Sequence, residues 1–154
     1  MATSTLLQKL FASDEGASVG ADSVLVSNRR QVETFIASEA ISDGDFVCLD
    51  LAKSTDGEKL LYIKKLNSGA GATVLAIGVA DEAIGSGEQG TVVIKGFKKD
   101  ANVATGGATG DRICGSSTGG RATQYAASQT QVIIGYQLEA ASGNVADVVI
   151  VKQF

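Results

Sequence analysis

Apolar and polar positions alternate along most of this chain in short runs divided by glycine turns, a pattern that predicts strands. Val24 and Val26, then Val32 and Thr34-Phe35-Ile36, outline a strand region over 24–37, with Arg29 and Arg30 at its centre. Ser42-Asp43-Gly44-Asp45 reads as a turn and Phe46, Val47 and Leu49 as the strand after it. A hairpin turn over 53–57 leads into a returning strand at Lys59-Leu60-Leu61-Tyr62-Ile63-Lys64-Lys65, and 67–71 as a loop. Further strands are expected over 74–80 and 91–97, on either side of a turn at 85–90. Residues 98–110 read as a connection that holds at most a short strand at Asn102-Val103-Ala104. Beyond it come 111–114, a turn over 115–120, then 121–125, 131–138 and 147–152, with the chain ending in strand at Phe154.

The second half restates the first. Ile77-Gly78-Val79-Ala80-Asp81-Glu82-Ala83 recurs as Ile134-Gly135-Tyr136-Gln137-Leu138-Glu139-Ala140, and Val92-Val93-Ile94-Lys95-Gly96-Phe97 recurs at the same offset as Val149-Ile150-Val151-Lys152-Gln153-Phe154. Gly44-Asp45-Phe46-Val47-Cys48 is matched by Gly110-Asp111-Arg112-Ile113-Cys114. Two copies of one strand-turn-strand unit, at 41–97 and 108–154, are therefore expected to close a single β core. The fold class is all-β, a small barrel or sandwich within a domain over 23–154. Residues 1–22 stand apart as a flexible N-terminal arm, in which Leu6, Leu7, Leu10 and Phe11 fall at helical spacing before a run of small residues. So short a helix is marginal alone, so the arm either docks on a partner or packs on the chain's own barrel.

Composition supports strands over helices: 154 residues include nineteen glycines and no proline or tryptophan. A chain of that length buries roughly 68–70% of its unfolded surface and needs no disulfide or metal to hold it. The formal charge of −4 offers no basic stripe for nucleic acid. No apolar run approaches the length of a membrane span, and the start lacks the basic and apolar regions of a secretory signal, so a soluble protein made in the cytosol is expected. In that compartment Cys48 and Cys114 are expected to be buried thiols.

Candidate chemistry is sparse. The chain has no histidine, so the usual base of a nucleophile pair at neutral pH is missing. Gly85-Ser86-Gly87-Glu88-Gln89-Gly90 spells a dinucleotide fingerprint, but strand residues follow where a helix should start. Asp43 with Asp45, and Asp81 with Glu82, are carboxylate pairs that turn and strand geometry explains without catalysis. Asp50 beside the first pair does not complete a calcium loop. No catalytic residue, cofactor or metal is assigned. The lysine pairs Lys64-Lys65 and Lys98-Lys99 lack the flanks of the biotinyl or lipoyl carrier hairpin, which leaves a carrier domain as a minor alternative.

The succession Gly44-Asp45, Ala76-Ile77-Gly78-Val79-Ala80, a turn ending at Gly90, Val92-Val93-Ile94-Lys95-Gly96, Gly110-Asp111-Arg112-Ile113 and Gly119-Gly120-Arg121-Ala122 resembles the small decoration, or cement, proteins of tailed-bacteriophage capsids. The resemblance covers about residues 41–138. It implies a non-catalytic β-rich virion protein, made in the host cytoplasm, that binds the major capsid protein on the shell's outer surface as a homotrimer and stabilises the shell. It implies neither nucleic-acid nor membrane binding, and it makes the N-terminal arm a capsid contact. Leu6, Leu7, Leu10, Phe11, Arg29 and Arg30 are the candidate contact residues. The alternative of another class is a non-catalytic head-fibre or receptor- or carbohydrate-binding β module.

Overall fold

The computed structural model describes residues 30–67, 75–126 and 132–151. Within them the order is β1 (Gln31–Ala37), β2 (Phe46–Leu49), α1 (Asp56–Leu61), β3 (Tyr62–Lys65), β4 (Ala76–Ala80), β5 (Gln89–Asn102), β6 (Arg112–Gly115), β7 (Ala122–Gln124), β8 (Ile133–Gln137) and β9 (Val145–Ile150). The described residues are nearly all β, as the alternation predicts. Leu6, Leu7, Leu10, Phe11 and Arg29 lie outside the described residues, as does Phe154.

The first five strands close a barrel in the order β1-β3-β2-β4-β5, with β5 returning to pair with β1. Only β1 and β3 run parallel. Closure leaves no free edge along most of the ring, which removes the usual hazard of an open sheet. The remaining strands follow in the order β5-β9-β8-β6-β7, and a parallel bridge from Val103 to Ala122 brings β7 back to the end of β5. The long β5 thus serves both halves, as the fifth strand of the first and the first strand of the second.

Register makes the correspondence concrete. Phe46, Val47 and Cys48 face Val79, Gly78 and Ala76, with a bulge between Val47 and Cys48. Arg112, Ile113 and Cys114 face Tyr136, Gly135 and Ile133, with a bulge between Ile113 and Cys114. The Ala37 N–H donates to Glu88 O (2.9 Å) as the Val103 N–H does to Asn144 O (2.9 Å). The turns before β2 and β6 are also alike, with left-handed φ of 80° at Gly44 and 87° at Gly110. The Ser42 N–H donates to Asp45 Oδ2 at 2.9 Å and the Ala108 N–H to Asp111 Oδ2 at 2.7 Å.

The interior departs from the expectation of one shared core. One cluster fills the first barrel, with Phe35, Val47, Leu49, Ile63, Ile77, Val92 and Ile94 among its members. The other combines second-half residues such as Ile113, Ile134, Val148 and Ile150 with Phe46, Cys48, Leu66 and Val79 from the first half. Because successive residues of a strand point to opposite faces, β2 supplies both: Val47 and Leu49 inward, Phe46 and Cys48 outward. The second half is lined by smaller residues, Ala101, Ala122 and Ala146, and first-half side chains complete its packing.

Three segments differ from the sequence pattern. The returning strand expected over 59–65 is half helix: Asp56–Leu61 form α1 and only Tyr62–Lys65 are extended. The cause is a capping box, in which Thr55 accepts from the Glu58 N–H while the Glu58 carboxylate accepts from the Thr55 N–H. The connection expected from residue 98 is strand as far as Asn102, carried past its polar run by a bulge between Lys98 and Ala101. The last strand of the second copy sits one residue out of the sequence offset. Val79 pairs with Val93 and Tyr136 with Val149, so Val93 corresponds to Val149 rather than to Ile150.

Candidate functional site

The two copies differ most in their charged groups and in one connection. Arg30 does not stand within a strand but just before β1, and its guanidinium pairs with Asp81. Asp81 also faces Lys98 (3.5 Å), whose ammonium bonds Asp43 Oδ1 at 2.7 Å. Lys98 is only 7% exposed, so its charge is held in the fold by two carboxylates, which is what burial of an ammonium requires. Arg30, Asp81, Lys98 and Asp43 form one network joining the start of β1 to β4, β5 and the first turn. In the second copy Leu138 stands where Asp81 stands in the first, so the network is not duplicated.

The other acids have equally structural partners. Asp45 is buried; it accepts from Asn102 Nδ2 (2.8 Å) and faces Lys65 Nζ (3.4 Å). Burial alone would raise the Asp50 carboxyl, but hydrogen bonds from Ser38, Lys64 and the Ala52 N–H outweigh it and hold the group below its ordinary range. The Thr91 hydroxyl and N–H hold Glu82 low in the same way. Among the described residues, no group of three or more His, Cys, Asp or Glu could hold a metal ion. Gly85–Gly90 is the turn into β5, closed by the Glu88 N–H on Gly85 O (3.0 Å), and no helix follows it to receive a pyrophosphate.

Cys48 and Cys114 are buried, equivalently placed and not joined in a disulfide. Each thiol lies 3.7 Å from a carbonyl on the neighbouring strand, Lys65 O and Thr123 O respectively. Burial pushes Cys48 up to about 11, against a smaller opposing pull from Lys64, and burial also raises Cys114. Neither thiol has the electropositive, accessible setting of a reactive cysteine.

What the sequence reading missed is apolar. α1 contains no buried residue, and it is turned with Lys59 half-buried while Leu60 is 66% exposed. Leu51, Leu61 and Leu75 are exposed as well. The Leu49 N–H on Leu75 O (3.0 Å) and the Asp50 N–H on Tyr62 O (2.8 Å) bring these chain segments to the same end of β2. The opposite end of β2 meets the second half, where the Phe46 N–H donates to Gly120 O (2.9 Å). The signal available in sequence was Thr55 with Glu58, a capping box directly ahead of Leu60 and Leu61.

Comparison with known proteins agrees with a scaffold of this kind. A family model described as phage cement protein matches residues 26–153. No curated protein sequence matches the chain. Among solved structures, the capsid of Myoviridae phage XM1 contains a chain similar at TM-score 0.57 and 21% identity, over 81% of this chain and 84% of that one. The head fiber gp8.5 N base in bacteriophage phi29 is similar at TM-score 0.52 and 15% identity, over 79% of this chain and 94% of that one.

Proposed function

As the chain belongs to the phage cement protein family, and is thus a structural virion protein of the capsid, we propose that it acts as a clamp on the shell's outer surface. The observation that carries this reading is the closed barrel with its further strands, in which the candidate acids are engaged in holding the scaffold. Asp43, Asp45, Asp50, Asp81 and Glu82 each have a structural partner, which leaves them no evident catalytic duty. The protein works by binding and not by catalysis.

Stabilisation follows from linkage, since a ligand that binds only the assembled shell raises the free energy of taking it apart. In this reading the protein is a homotrimer that contacts the major capsid protein, and three weak contacts carried on one trimer bind far more tightly than one. The arm over 1–22 supplies part of that contact through Leu6, Leu7, Leu10 and Phe11, with Arg29 beside it. Arg30, paired with Asp81, anchors the chain at the start of β1. The test is sedimentation equilibrium of the purified protein, followed by co-sedimentation with particles that lack it. A trimer mass and saturable binding are expected; a monomer that stays in the supernatant would overturn the proposal.

A further inference from the structure

Leu51, Leu60, Leu61 and Leu75, at one end of the first barrel, belong to neither core cluster. α1 is six residues long and held by its capping box and a Lys59–Asp56 pair at 3.0 Å. Helices this short are marginal without tertiary packing, yet this one buries neither of its leucines. The fold does not require the element either. At the corresponding place the second half has only a tight turn, with the Ser116 N–H on Arg121 O (3.0 Å) and the Arg121 N–H on Thr118 O (3.2 Å). A duplicated scaffold that gains a helix in one copy, with Leu51, Leu60, Leu61 and Leu75 exposed around it, has acquired a surface.

We infer that this end is a shell-contacting surface, on which Leu51, Leu60, Leu61 and Leu75 seat in a shallow apolar depression of the capsid exterior. The inference rests on the function proposed above and names the part of the barrel that performs it. Two properties select the occupant. First, the described charged groups around it already have partners within the chain: Lys59 with Asp56 (3.0 Å), Lys64 with Asp50 (3.2 Å), Glu58 accepting from the Thr55 hydroxyl (2.9 Å), and Lys53 stacked over the Tyr62 ring at 4.1 Å. The partner is therefore apolar at this point rather than oppositely charged. Second, four partly exposed leucines present on the order of a few hundred Å², less than the roughly 800 Å² per partner of a stable interface. Such a patch cannot by itself hold two copies of the chain together, but it suffices as one of several contacts repeated over a shell.

The experiment compares the parent protein with a Leu60→Ser/Leu61→Ser variant and with Leu75→Ser, a change on a separate segment of the same surface. Melting temperature and sedimentation mass are read on the free proteins, and co-sedimentation with particles lacking the protein is read at low and high salt. Both variants are expected to keep the parent's melting temperature and mass and to bind particles at least tenfold more weakly, and the parent's binding is expected to change little with salt. Variants that bind like the parent would remove this surface while leaving the proposed function intact. A loss of mass in the variants would assign the patch to contacts between copies and overturn the inference. A parent that does not bind would overturn the function on which the inference rests.

Discussion

Gly78 and Gly135 occupy the same bulged position in the two copies, and replacing each by alanine tests whether the copies obey the same packing rule. A Cβ on Gly78 would run into Val93 O, with Val93 C at 2.9 Å and Val92 Cγ1 at 3.1 Å. On Gly135 it would meet Val149 O, with Val149 C at 3.1 Å and Ile150 Cα at 3.3 Å. The main obstacles are backbone atoms of the adjacent strand, so no rotamer change relieves them and the strand must move. Overpacking of this kind costs about 3 kcal/mol, at the upper end of its usual range. For a chain of this length, that is a fall in Tm of roughly 6–12 °C. Gly57→Ala is the control: it lies in α1 with nothing within 4 Å of the new Cβ, and it is expected to stabilise by about 0.5–1 kcal/mol. Thermal and urea unfolding followed by circular dichroism would measure all three. Penalties at Gly78 and Gly135 that match the Gly57 control, or that differ from one another by more than about 2 kcal/mol, would refute the reasoning.

Three further outcomes follow from buried groups. Cys48, pushed up to about 11 from 9.0, and Cys114, also raised, should react slowly with a polar disulfide reagent at pH 8 in the native protein and quickly once it is unfolded. Because the folded value lies above the unfolded one, the contribution of Cys48 to stability is complete below pH 9 and falls as pH rises through about 11. Gln137 is 1% exposed and its Nε2 has no hydrogen-bond partner among the described residues. Gln137→Met should therefore raise stability by about 1 kcal/mol, read as a higher urea midpoint at unchanged slope, and a clear loss would mean that the amide is satisfied.

The strands were legible because β-branched alternation and turn glycines recur at fixed spacing, and Gly78 faces Val47 in the register in which Gly135 faces Ile113. The one-residue slip of the last strand was not. Val92-Val93-Ile94 and Val149-Ile150-Val151 are all β-branched, and only the pairing of Val93 with Val79 and of Val149 with Tyr136 reveals which residues correspond. The extension of β5 was hidden by Lys98-Lys99-Asp100, a polar run that reads as loop until Lys98 is seen held by Asp43 and Asp81. α1 was hidden because alternation through Lys59–Lys65 outweighed a capping box whose leucines are not buried. That surface was thus invisible to a search for acids, thiols and glycine loops, because an apolar contact carries no reactive signature.

Scanning calorimetry of particles assembled without the protein, with the purified protein added back in increasing amounts, tests the central claim most directly. The shell's melting temperature should rise with added protein and level off when the sites are full, as linkage to the assembled state requires. A shell that melts at the same temperature with every site occupied would contradict it, leaving a protein that decorates the capsid without holding it together.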